Sequence, residues 1–62
     1  MKVRDVIKLI ERDGWRLVVI EGSHRHYKHT TKPGRVTVAG HLREDVHPKT
    51  LKSIFTQAGL TR

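Results

Sequence analysis

The chain contains no cysteine. That excludes a disulfide staple and thiolate chemistry, and it fits a reducing compartment. No apolar run approaches the roughly 20 residues of a membrane span. The opening Met1-Lys2-Val3-Arg4-Asp5 lacks the apolar core of a signal peptide. A soluble, cytoplasmic protein with no membrane partner is therefore expected. Aromatics are scarce, with one Trp, one Tyr and one Phe. A small core needs all three, so Trp15, Tyr27 and Phe55 are expected to be mostly buried rather than free as base-stacking platforms. The length of 62 residues makes one domain, 1–62, and leaves no room for a deep substrate cavity. A chain this short buries only about 60 % of its unfolded surface, so its margin of stability is thin.

Acid is the most telling shortage. Thirteen Lys and Arg stand against six Asp and Glu, a formal charge of +7, and no acid occurs between Glu21 and Glu44. That acid-free stretch holds Arg25, Lys28, Lys32, Arg35 and Arg43, together with His24, His26, His29 and His41. Residues 1–21 are nearly balanced by Asp5, Glu11, Asp13 and Glu21. A one-sided positive excess suits a polyanionic partner, through counterion release from phosphates. A solvated, solubilising surface is the plainer reading of the same charge.

Val3, Val6, Ile7 and Ile10 follow the i, i+3, i+4, i+7 spacing of one helix face, which predicts a helix from about Lys2 to Asp13, closed by Gly14. Trp15 to Glu21 is rich in β-branched residues and predicts a strand. Simple alternation puts Trp15, Leu17 and Val19 on one face and Val18 and Ile20 on the other, with both faces partly covered. Gly22-Ser23 predicts a turn and His24 to His29 a second strand. If Tyr27 faces the core, His24, His26 and Lys28 share the exposed face, while Arg25 and His29 point the other way. Pro33-Gly34 marks another turn before a third strand over Arg35–Ala39, with Val36 and Val38 inward. After a polar loop, Pro48 suits a first helical position, and Leu51, Ile54, Phe55 and Ala58 repeat the helical stripe. Gly59 closes this helix, with Leu60 folding back. His47 is expected to cap or abut it. The order is α-β-β-β-α: an α+β two-layer sandwich with a three-stranded antiparallel sheet and two helices on one face.

Three pieces carry a resemblance. They are Gly22-Ser23-His24 with Tyr27, the strand-to-loop segment Val36-Thr37-Val38-Ala39-Gly40-His41, and Pro48-Lys49-Thr50-Leu51-Lys52-Ser53-Ile54 continuing through Gln57-Ala58-Gly59-Leu60. In that order the chain resembles the HicA toxins, small ribonucleases of bacterial and archaeal toxin–antitoxin pairs. Ala39 departs from the pattern, since many relatives have proline there. The resemblance implies a fold like a double-stranded-RNA-binding domain, cleavage of mRNA without the ribosome, and inhibition by a HicB-type antitoxin that covers the site. The family's histidine carries over to His24.

The chemistry is consistent with that assignment. RNA supplies its own nucleophile in the 2′-hydroxyl. An acid–base group of the imidazole type and nearby cations are enough to cut it without metal or cofactor. His24 is the candidate catalytic residue. Ser23, His26, Lys28 and Lys32 are the candidates for RNA contact, with Arg25 a further cation and His26 also a possible second acid–base group. His41 ends the third strand and is a weaker candidate to approach across the sheet. Other readings stay open. His24 is also compatible with a solvated strand position. A non-catalytic RNA-binding module of the same fold fits the charge, as does a domain that only complements an acidic antitoxin. His24-x-His26-x-x-His29 has compact spacing for zinc. On a regular strand, however, His29 faces away and no Cys or acid completes a tetrahedron.

Overall fold

The computed structural model describes residues 1–60. Its elements are helix α1 (Val3–Arg12), strands β1 (Arg16–Glu21), β2 (His24–Lys28) and β3 (Val36–Ala39), and helix α2 (Pro48–Gln57). The strands form one antiparallel sheet in the order β1-β2-β3. This is the α-β-β-β-α order expected from the pattern of apolar residues.

The core is Val3, Val6 and Ile10 from α1, Trp15, Tyr27, Val36 and Val38 from the sheet side, and Ile54 and Ala58 from the second helix. Ile7, Leu51, Phe55 and Leu60 pack at its margin. Phe55 is thus half-buried rather than central. Among the described residues no polar or charged side chain is buried, so burial of apolar surface is the main force that brings the two layers together. No helix among the described residues is long and apolar enough to cross a membrane.

Both helices end in the same way. The Trp15 amide donates to Ile10 O and the Gly14 amide to Glu11 O, and the Leu60 amide donates to Phe55 O and the Gly59 amide to Thr56 O. This is the paired bonding of a Schellman end, with glycine in the left-handed position and an apolar residue folding back on the last turn. Gly14 and Gly59 have φ of +105° and +70°. Trp15 therefore belongs to the end of α1 rather than to β1. Its buried indole Nε1 donates to Ala58 O at 3.2 Å, which joins the two helix ends. At the other end of α1, the Val3 and Arg4 amides donate to Glu44 O and Leu42 O of the loop before α2. Backbone carbonyls thus satisfy orphan donors that no side chain caps. His47 caps α2, its Nδ1 accepting from the Lys49 amide at 3.2 Å.

One expectation fails at β1. The register steps from Leu17↔Tyr27 to Val19↔His26, leaving Val18 as the extra residue of a bulge. Leu17 and Val19 therefore lie on opposite faces instead of sharing one. Neither face is more than partly covered. Every residue of β1 is exposed, and Leu17, Val18, Val19 and Ile20 are 43, 53, 40 and 55 % accessible. The reason is lateral placement. Both helices pack chiefly against β3, so β1 is an edge strand that overhangs the helical layer.

Candidate active site

Because Tyr27, Val36 and Val38 point into the core, their neighbours in sequence point the other way. The sheet face opposite the helices thus carries His24, His26 and Lys28 from β2 and Thr37 from β3. The registers Glu21↔His24↔Ala39 and His26↔Thr37 align these residues across the strands. Gly22, with φ of +60°, and Ser23, with no positive φ, form the two-residue link from β1 to β2. Gly at the first position with φ > 0 fits the type II′ hairpin geometry. His24 is the first residue after that turn and is exposed. The Ser23 carbonyl accepts from the Gly40 amide at 3.2 Å, which pins the turn to the end of β3.

The five histidines separate by what their ring nitrogens touch. His26 bridges to both flanking strands, with Nε2 2.9 Å from Glu21 Oε1 on the diagonal and Nδ1 2.9 Å from Oγ1 of Thr37 directly opposite. A carboxylate only accepts, so Nε2 carries the proton, and the Thr37 hydroxyl donates to Nδ1 when the ring is neutral. His29 donates from Nε2 to Asp13 O at 2.6 Å, and its Nδ1 accepts from the Thr31 and Lys32 amides. Its ring also meets Trp15 edge-on at 5.3 Å. His47 is the helix cap already described. His41 lies in the loop after β3, with Nε2 3.9 Å from Glu44 Oε1. His24 alone has no hydrogen-bond or ion-pair partner among the described residues.

The remaining sequence candidates divide. Lys28 is exposed on the face of His24 and opposite Arg16 across the ladder. Arg25 turns to the other side, where it donates to Gly40 O at 3.1 Å. Lys32 is not brought to His24. Its ammonium binds Asp13 Oδ2 and donates to Ala58 O at 3.1 Å, tying the turn after β2 to both helix ends. That hydrogen bond and the lysine's charge hold the Asp13 carboxyl below the ordinary value of 3.8, against a smaller opposing effect of burial. Tyr27 is shifted upward, chiefly by burial and then by the charge of Glu11. His24, His26 and His29 do not converge, and no group of three His, Cys, Asp or Glu among the described residues is placed to hold one metal ion. An apolar groove of about 690 Å³ lies between the helices, lined by Leu9, Leu51 and Phe55 among others, and includes none of these candidates.

Sequence reasoning missed Glu21 and Thr37 as the partners of His26. Cross-strand register carries that signal, and register became legible only once the bulge at Val18 was placed. It also did not single out Arg16, which the ladder sets opposite Lys28.

A comparison with curated proteins finds no match. The family model described as the HicA toxin of bacterial toxin–antitoxin systems matches residues 3–60, nearly the whole chain. The α-β-β-β-α order, the Gly22-Ser23-His24 turn and this match agree, and the chain belongs to the HicA toxin family.

Proposed function

We propose that this toxin is a ribosome-independent, metal-independent endoribonuclease that cuts mRNA on the open face of its sheet, with His24 as the acid–base residue. The observation that carries the reading is the state of the histidines. His24 is exposed and unpartnered among the described residues, whereas both ring nitrogens of His26 and His29 are occupied. A free imidazole beside a hairpin turn is available to a substrate. In the reaction His24 removes the 2′-hydroxyl proton. The 2′-oxygen attacks the adjacent phosphorus, the bond from phosphorus to the 5′-oxygen breaks, and that oxygen takes a proton from solvent while His24 releases the one it took. The products are a 2′,3′-cyclic phosphate and a free 5′-hydroxyl. Lys28 offsets charge on the phosphate backbone, and Ser23 presents a hydroxyl at the turn. His26 serves as a second proton donor only after it leaves Glu21 or Thr37.

The family implies an antitoxin partner. We assign it to the HicB type and place it over His24, so that inhibition is steric.

The test is cleavage of an mRNA transcript by the wild type and by His24→Ala, with a chelator present. General acid–base catalysis contributes about 10²–10⁴-fold, and a loss of that size is expected while the circular dichroism spectrum is unchanged. Cleavage by His24→Ala at the wild-type rate overturns the assignment. RNA retention without cleavage by either form indicates a binding module instead, and activity abolished by the chelator removes metal independence.

A further inference from the structure

The open face has a second feature that its histidines do not explain. Arg16 stands directly opposite Lys28 in the β1–β2 ladder. In the β2–β3 ladder the last pair is Tyr27 with Val36, and Arg35 immediately precedes β3 at the Lys28 end of that ladder. Val36 is buried, so extending the β3 alternation back by one residue directs Arg35 to the open side, as for Lys28. Arg16 and Lys28 therefore face each other across the β1–β2 ladder, and Arg35, the residue before β3, extends this row at the same end of the sheet. All three are exposed. None has an ion-pair partner among the described residues. The acid on this face, Glu21, sits at the opposite end of the ladder and contacts His26.

Like charges directly opposite each other destabilise a sheet. A row of three without a counter-charge calls for an anion from outside the chain. The row lies four residues along β2 from His24, about 13 Å at 3.3 Å per residue. That is too far for the row to serve the phosphate being cut at His24.

Resting on the ribonuclease reading above, we propose that Arg16, Lys28 and Arg35 form a separate subsite for the backbone of single-stranded RNA. It grips successive phosphates removed from the scissile one, about one per cation, and with His24 it sets the path of the strand over the sheet face. Arg16 and Arg35 flank Lys28 on either side, so the groups converge on a strand crossing the sheet face rather than on one isolated ion. The order of groups along β2 is then polar. Cations lie at the Lys28 end, the clamped His26 in the middle and the free His24 at the turn. Such a row fixes both position and direction of the substrate, which a diffuse basic surface does not.

The test uses a fluorescein-labelled, fully 2′-O-methylated RNA dodecamer, which lacks the nucleophile and is not cut. Anisotropy titrations at several salt concentrations give the slope of log K against log salt. Each phosphate contact on a single strand contributes about 0.7 to that slope. Arg16→Gln, Lys28→Gln and Arg35→Gln are each expected to reduce the slope magnitude by about 0.7, and the triple variant by about 2. Lys49→Gln, on exposed α2, is expected to leave the slope unchanged. All four positions are exposed, so thermal melts should overlay or rise for the row variants as like-charge repulsion is relieved.

The proposal fails if the triple variant keeps the wild-type slope. It fails equally if Lys49→Gln lowers the slope as much as a row variant, since diffuse charge then suffices. It also fails if the row variants lose antitoxin binding but not RNA. Failure of the ribonuclease reading looks different. A wild-type protein that cuts no RNA but shows the slope losses keeps the subsite and removes the catalysis. Cleavage that depends on His24, with an unchanged slope in the triple variant, does the reverse.

Discussion

Replacing Gly14 by alanine tests whether the contact between the end of α1 and the turn after β2 is a main source of stability. Gly14 has φ of +105°, a region where a Cβ costs about 1–2 kcal/mol. A Cβ built there falls 2.7 Å from His29 Nε2, closer than side chains approach. The imidazole must move, and its bond to Asp13 O, now 2.6 Å, is lost at about 1 kcal/mol. The sum is about 2–3 kcal/mol. A 62-residue chain has only about 3–9 kcal/mol to lose at the usual per-residue stability. The melting temperature should therefore fall by roughly 10–20 °C. Urea unfolding followed by the fluorescence of the single buried Trp15 reads the change directly. His29→Ala removes the obstacle, so Gly14→Ala made in that background should cost only the backbone part, a coupling of about 1 kcal/mol. Additive costs for the two substitutions, or a Gly14→Ala cost below about 0.5 kcal/mol, would falsify the account.

The same junction has an acid limit. The folded Asp13 carboxyl titrates below its ordinary 3.8 because of Lys32. Its contribution to stability is therefore present above that value and is lost as pH falls below it toward the lowered one. Urea midpoints measured from about pH 5 downward should drop more steeply for the wild type than for Asp13→Asn; parallel curves contradict the pairing. In the sheet, Val36→Ala should cost about 2–3 kcal/mol, since Val36 is fully buried. Val18→Ala, at a position 53 % exposed, should stay within about 0.5 kcal/mol. Equal costs would mean that β1 is covered after all. The losses expected for His24→Ala and for the cationic row complete the set.

The helices were legible because their signals are local. The i, i+3, i+4, i+7 stripes and the glycines at 14 and 59 specify where each helix lies and where it stops. Pro48 and His47 likewise act within one turn. β1 was misread because its outcome depends on two non-local facts, the bulge at Val18 and the lateral position of the helices over β3. Neither is written in a period of two. The acid-free stretch was legible as basic but not as divided. His24, His26 and Lys28 go to the open face, while Arg25, His29 and Lys32 turn back to hold the fold. Composition counts these together. Alternation separates the first group from Arg25 and His29, but Lys32, beyond the strand, needed the tertiary structure.

That division links stability to the site through a single strand. A slip of one residue in β2 would turn His24 and His26 inward and Tyr27 outward. Two devices oppose the slip from opposite ends. At the His24 end, the Gly22-Ser23 turn is tied to Gly40 through the Ser23 carbonyl. At the Lys28 end, His29 is bonded through both ring nitrogens to Asp13 and to the following turn, with Trp15 against its ring. His26, held between Glu21 and Thr37, reads the register in the middle. The free edge of β1, with four exposed aliphatic residues, does none of this work. Register is therefore held by the ends and centre of β2. A destabilised Gly14→Ala protein, assayed below its melting temperature, should still bind the methylated RNA with the wild-type salt slope, because loosening one end leaves the turn and His26 in place. Loss of the slope in that folded protein would mean that the His29 junction alone sets the register of the open face.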